Sequence, residues 1–274
     1  MNGGYLHIQG VYLNEIQAMI TTLLTSLCIA MLFMTGAWLF SLYKRDMSVV
    51  DGFWGLGFLA IAHHWFFRLE EAQLRQFAVV YLVTIWGLRL SAHIFIRSKG
   101  KPEDPRYTAF RNEWKENTWW ISYFKVFLLQ AVLCFVISLP VINVLAHHEE
   151  GFSCLNVVGL ILWFIGFAFE STADYQLFRF KKNPANKGQV MNKGLWYFSR
   201  HPNYFGEVCV WWGIFLVSIG SGLWYISVLG PILITFLLLR VSGITMLEKR
   251  YEGNDAYSLY KKNTSPFFPW WPKK

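Results

Sequence analysis

Apolar stretches of membrane-spanning length recur along this chain, and that repetition limits the fold more than any single motif does. A helix crossing hydrocarbon needs about 20 mostly apolar residues. Seven segments meet or approach that length: 16–43, 49–67, 76–96, 119–146, 154–178, 202–220 and 222–241. The last two are parted only by Gly220, Ser221 and Gly222, which read as a hairpin turn. Charged residues make up 15% of the sequence, against roughly 25% in a soluble domain, so a water-facing surface over most of the chain is excluded. The expected fold is an all-α, polytopic membrane helix bundle of about seven transmembrane helices, a single domain over 1–274. The first 15 residues hold no Lys or Arg and no small-residue cleavage site, so a removable signal peptide is not expected. Cys28, Cys134, Cys154 and Cys209 are scattered without a CxxC pair, and read as buried thiols rather than a disulfide framework.

Lys and Arg are retained on the cytoplasmic side of a membrane, so their distribution over the loops predicts orientation. The loop after the first segment holds Lys44 and Arg45, the third loop holds Arg97, Lys99, Lys101, Arg106, Arg111 and Lys115, and the fifth holds Arg179, Lys181, Lys182, Lys187, Lys193 and Arg200. Further cations run from Arg240 through Arg250 to Lys274, whereas the opposite face has only Arg68 and Arg75. The N-terminus is therefore expected outside and the C-terminus in the cytoplasm. This topology accounts for most of the net charge of +8, and nucleic-acid binding is not needed to explain it; basic loops at a membrane edge meet lipid headgroups.

Ionisable residues inside spans are costly and usually face a protein interior or a wet cavity. Here they gather in the half expected to be cytoplasmic: Asp51 near the start of the second span, Arg89 and His93 near the end of the third, Glu170 and Asp174 closing the fifth, Glu207 in the first turns of the sixth, and Glu248 after the seventh. Arg89 with His93, Glu170 with Asp174, and Asn203 with Glu207 are spaced i,i+4, which puts each pair on one helical face. The convergence predicts a polar pocket entered from the cytoplasm. The plainer use of the same residues is ion pairing between helices, such as Arg89 with Asp51. His63 and His64 read as packing residues, and no HxxxH, HxxE or CxxC spacing points to a metal.

The run Gly194-Leu-Trp-Tyr-Phe-Ser-Arg200-His201-Pro202-Asn203-Tyr204-Phe-Gly206-Glu207 is the most informative segment. Pro202 suits the first turn of a helix, where its missing N–H does no harm. A helix N-terminus flanked by Arg200 and His201, beside a loop rich in cations and free of acids, is a reasonable anion site, and a phosphorylated cofactor would fit it.

That run, with Trp211 and Trp212 behind it, resembles the signature shared by the steroid 5α-reductase family and the isoprenylcysteine and phospholipid methyltransferases. Asp51-Gly-Phe-Trp54-Gly55, Trp86-Gly-Leu-Arg89-Leu and Thr264-Ser265-Pro-Phe-Phe-Pro269-Trp are similar to the bacterial branch of the reductase superfamily, over nearly the whole chain. The resemblance implies NADPH-dependent reduction of a carbon–carbon double bond conjugated to a carbonyl, in a steroid-like or other lipophilic substrate drawn from the bilayer of a bacterial inner membrane. It implies substrate-side helices over 1–118 and cofactor-binding helices over 119–274. It assigns cofactor contact to Asn203, Glu207 and Asp174, with Tyr204, Glu248 and Arg179 beside them, and places Lys99-Gly100-Lys101-Pro102 near phosphates. Steroid reductases carry a Gln-Glu pair near the start of helix two and a Tyr on helix three to polarise the substrate carbonyl. This chain has Val50-Asp51 and Trp86-Gly87 there, leaving Asp51, Arg89, His93 or Tyr81 as candidates for the catalytic donor. The alternative implied by the shared signature is an S-adenosylmethionine-dependent membrane methyltransferase.

Overall fold

The computed structural model describes residues 2–147, 151–249 and 251–273, so Arg250 and Lys274 of the basic tail lie outside it. The described residues are helical with irregular connections and contain no strand. They form two compact units, Met1–Glu150 and Gly151–Lys274. Among the described residues, five helices are long and apolar enough to cross a membrane: Asn14–Lys44, Leu74–Ser98, Pro105–Ile137, Cys154–Lys182 and Trp224–Lys249. That is the pattern of a multi-pass integral membrane protein.

The count is five where the hydropathy of the sequence predicts seven, and the difference has a physical cause. The helix Val49–Phe66 carries Asp51, His63 and His64 within its 18 residues. The helix Pro202–Ser218 has 17 residues, or about 26 Å at the usual rise, at the lower limit of the length that crosses hydrocarbon.

In the first unit, α1 (Asn2–Lys44), α2 (Val49–Phe66) and α3 (Leu74–Ser98) are followed by α4 (Pro105–Trp114). The antiparallel pair α2 and α3 meets at glycines: a Cβ on Gly55 would lie 2.5 Å from the Gly87 carbonyl, and one on Gly87 2.7 Å from the Gly55 carbonyl. Backbones this close need residues without side chains, the usual device where helices pack in lipid. Phe58 and Trp86 then meet edge to face at 5.4 Å in the core.

The segment expected as a continuous span over 119–146 is broken. α5 (Thr118–Ser122) passes through a π-helical turn at Tyr123–Leu128 into α6 (Leu129–Ile137), and α7 (Leu139–Ala146) starts afresh. Pro140 stands in the first turn of α7; lacking an N–H, it cannot continue the ladder from α6.

The second unit is built on α8 (Cys154–Lys182) and α10 (Pro202–Ser218), joined by a loop containing the short α9 (Leu195–Phe198). α8 and α10 run antiparallel with two glycine crossings. A Cβ on Gly213 would stand 2.7 Å from the Gly159 carbonyl, and one on Gly206 2.5 Å from the Gly166 carbonyl. The far end is fixed by Asn156, whose amide donates to the carbonyls of Leu216, Val217 and Ile219. Residues 219–223 turn the chain, with Gly220 at φ 92° and Gly222 at φ 33°, as the Gly-Ser-Gly sequence predicts. α11 (Trp224–Ser227), α12 (Leu229–Phe236), a π-helical turn at Leu237–Val241 and α13 (Ile244–Lys249) make the last long helical run. α14 (Asp255–Asn263) precedes an extended tail.

Of the four cysteines expected to be buried, Cys134 and Cys209 are, but Cys28 and Cys154 are exposed. Hydropathy does not separate a core face from a lipid face, because both are apolar.

Candidate functional site

The register set by the α8/α10 glycines determines which polar residues meet. One turn before Gly206 stands Asn203, and one turn beyond Glu170 stands Asp174. Because the helices run oppositely, these outer positions face each other, and the Asn203 amide donates to Asp174 Oδ1 at 3.2 Å. Glu170 and Asp174 are buried, and Glu207 is half-buried. Pro202 occupies the first turn of α10, as expected, with His201 as the N-cap residue. The His201 ring lies parallel to Tyr204 at 5.3 Å. Three buried atoms here make no hydrogen bond within the described protein: the Asn203 Oδ1 acceptor and His201 Nδ1 and Nε2, the last standing 3.5 Å from Glu248 Oε1. Burial lowers the His201 pKa below its ordinary value, outweighing the nearby Glu248 carboxylate, so the ring is neutral at pH 7.

Arg200, expected to bind an anion, is committed elsewhere. Its Nε and Nη2 donate to Glu248 Oε1 at 2.8 and 2.7 Å, and its Nη1 donates to the carbonyls of Lys261 and Thr264, both at 2.7 Å. Lys261 Nζ takes the other Glu248 oxygen at 2.8 Å. Arg200 and Glu248 thus join the start of α10, the end of α13 and the tail after α14. The Arg200 backbone N–H donates to the Ser265 carbonyl, and the Ser199 hydroxyl to that of Phe267, both at 2.8 Å. Tyr260 closes the arrangement by donating to the Trp196 carbonyl. Four donor contacts therefore hold Arg200 inside the protein, which does not suit a phosphate ligand.

The remaining loop cations are more open. Arg179 is exposed near the end of α8. Lys181, Lys182 and Lys187, together with Asn183, Tyr251 and Asn254, line a cleft of about 450 Å³ with no acidic side chain in its wall. Gly194, at φ 62°, lets the loop double back onto α8, where the Leu195 N–H meets the Gln176 side chain and Trp196 Nε1 donates to the Ala173 carbonyl.

In the first unit, Asp51 pairs with α4 and not with Arg89. Its Oδ2 accepts from Arg106 Nη2 at 2.6 Å and its Oδ1 from the Tyr107 hydroxyl at 2.7 Å. Asp104 caps α4 and braces Arg106 from the other side. Next to this group Glu103 accepts from Arg111 and from the Met47 N–H, so the third loop is folded firmly onto the start of α2. Arg89 and His93 sit half-buried, one turn apart on α3. Lys99 and Lys101 are exposed in the turn after α3, and Tyr81 is exposed on its outer side.

The match to known proteins follows this layout. Residues 37–264 match the family described as "Protein of unknown function (DUF1295)", a stretch that holds Asp51, Arg89, Asp174, Arg200, Asn203 and Glu248. The chain belongs to that family. A protein of Schizosaccharomyces pombe, described as uncharacterized, is similar to this DUF1295 member at 26% identity over 266 residues, covering 85% of this chain and 75% of its own. No solved structure matches the chain.

Three participants escaped the sequence reading. In the sequence Arg106 reads only as a loop cation, Tyr107 carries no signal of its own, and Lys261 reads as part of a basic tail. The Asp-Pro start at Asp104-Pro105 is the local signal for a helix within the third loop, and that helix carries Arg106 and Tyr107 to Asp51.

Proposed function

We propose that this DUF1295 protein is an NADPH-dependent reductase of carbon–carbon double bonds conjugated to a carbonyl, acting on a lipophilic substrate that enters from the bilayer, and that it belongs with the steroid 5α-reductase-like enzymes. The observation that carries the reading is the buried end of the α8/α10 pair. There Asn203 and His201 present unsatisfied polar atoms beside Asp174, Glu170 and Glu207, although buried polar groups are normally paired. Such atoms fit a polar ligand better than they fit a purely structural crossing.

Asn203, Asp174, Glu207 and Tyr204 would hold the cofactor, while Lys181, Lys182 and Lys187 supply positive charge for its phosphates. Arg200 and Glu248 take a supporting part, fixing the N-terminus of α10 through the tail. When bound, NADPH supplies the hydride. Asp51, Arg89 and His93 are proposed to serve the substrate carbonyl: a donor stabilises the negative charge developing on its oxygen, and Asp51, already held by Arg106 and Tyr107, orients that donor. In keeping with the loop charges, the α2 and α10 helices are proposed to cross the membrane as well, giving seven spans with the N-terminus outside and the C-terminus cytoplasmic.

Thermal unfolding of the purified protein with NADPH, NADH or S-adenosylmethionine tests this directly, because only a ligand that prefers the folded state stabilises it. NADPH should stabilise most, with NADH binding at least about tenfold more weakly. Asn203→Ala should remove the NADPH effect while the unliganded melting temperature stays close to that of the parent. Stabilisation by S-adenosylmethionine alone would reassign the chain to methyl transfer.

A further inference from the structure

The tail after α14 contains neither helix nor strand, yet it is held along its length. Besides the bonds from Arg200 and Ser199, the Trp270 N–H donates to the Phe198 carbonyl and the Lys273 N–H to that of Asn263, both at 2.9 Å. Phe267 is buried against Phe205, and the Trp271 ring meets Phe198 edge-on at 5.0 Å. Pro266, Pro269 and Pro272 stiffen the segment further.

Despite this anchoring, Phe268, Trp270 and Trp271 are 69%, 72% and 71% exposed. A loose tail exposes rings by default. This one is fixed in a conformation that holds them out, together with Tyr197 on the neighbouring α9.

The location indicates what receives them. The rings sit beside α9 and the start of α10, at the end of the hairpin where α8 closes with Arg179, Lys181 and Lys182. A membrane-length helix leaves the hydrocarbon at its basic last turn, so this is the headgroup level. Trp and Tyr concentrate there because their rings are apolar and their N–H and O–H groups remain wet. Lys273 follows the rings in the chain, a charge suited to anionic lipid.

We propose that residues 266–273 form a preformed interfacial anchor, seating Phe268, Trp270 and Trp271 in the headgroup layer of an anionic bilayer. This role is independent of the reductase reading, since it needs only the membrane spans and the pinned tail.

The test uses the full chain reconstituted in phosphatidylcholine and phosphatidylglycerol vesicles whose acyl chains carry bromine either near the headgroup or near the bilayer centre. The chain has 14 Trp, so the emission of a Trp270→Phe/Trp271→Phe variant is subtracted from that of the parent to isolate these two rings. The difference signal should lose most of its intensity to shallow bromine, less to deep bromine and almost none to aqueous iodide. Quenching by iodide without quenching by bromolipid would place the tail in water and overturn the proposal. Protection from both would show that protein covers the rings, a second copy included, and would overturn it equally. If the double variant fails to reconstitute, Trp270→Phe alone gives the same comparison, because the Trp270 ring packs on no other ring among the described residues.

Discussion

Gly206→Ala should weaken the second unit more than its single added carbon suggests. The new Cβ would lie 2.4 Å from the Glu170 backbone nitrogen and 2.5 Å from the Gly166 carbonyl oxygen, where ordinary contact begins near 3.4 Å. Both obstacles are backbone, so no rotamer change relieves them and the helices must part by about an ångström. Overpacking of this kind costs about 1–3 kcal/mol, and rigid neighbours put it at the upper end. Alanine returns about 1 kcal/mol through better helix propensity, leaving a net loss of about 2 kcal/mol. For a chain of this size that corresponds to a fall of about 4–8 °C in melting temperature. The control is Gly36→Ala on α1, where an added Cβ meets nothing within 4 Å; only the propensity gain operates, and stability should be equal or higher. Thermal unfolding in one detergent, followed by size-exclusion fluorescence, measures both. A Gly206→Ala variant as stable as the Gly36→Ala control would refute the close backbone crossing of α8 and α10.

Arg200→Ala should destabilise by about 1–3 kcal/mol, because it leaves the largely buried Glu248 with Lys261 as its remaining cation and takes the donor from two carbonyls; limited proteolysis should then cut the tail first, and Arg200→Lys, which cannot reproduce the fork, should rescue little. His201 has a folded-state pKa below its ordinary 6.5, so the unfolded chain takes up a proton first and stability falls as pH drops below about 6.5. His201→Gln should flatten that part of a stability profile measured from pH 7.5 to 5, and an unchanged slope would show that another group is responsible. Asp51→Asn should lower enone reduction about 100- to 1000-fold if it orients the donor. Its partly exposed pair with Arg106 should contribute no more than about 1 kcal/mol to stability, so a large loss of folding with normal turnover in the folded fraction would make Asp51 a structural residue.

The helical class and most span positions were legible because hydropathy is a local property. Which face of each span meets protein was not, as exposed Cys28 and Cys154 show. The Asn203 and Glu170/Asp174 grouping could be read from i,i+4 spacing, since spacing fixes a helical face. Partners brought together by loops could not: Asp51 finds Arg106 and Tyr107 across 55 and 56 residues, and Arg200 finds Lys261 and Thr264 only once the tail has folded back. The sequence suggested a free cation at Arg200 because nothing local reveals that Glu248 will satisfy it.

The tail staple also bears on the order of assembly. During synthesis α8, α9 and α10 enter the membrane well before residues 261–267, which supply the acceptors for Arg200 and Ser199, leave the ribosome. Until those residues have emerged, Arg200 lacks its carbonyl acceptors at Lys261 and Thr264, and the helix start that carries Asn203 lacks its tether to the tail. The second unit therefore reaches its final form only once residues 261–267 have been made, and a truncation or bulky insertion close to Thr264 acts on the α10 N-terminus as directly as a substitution within it.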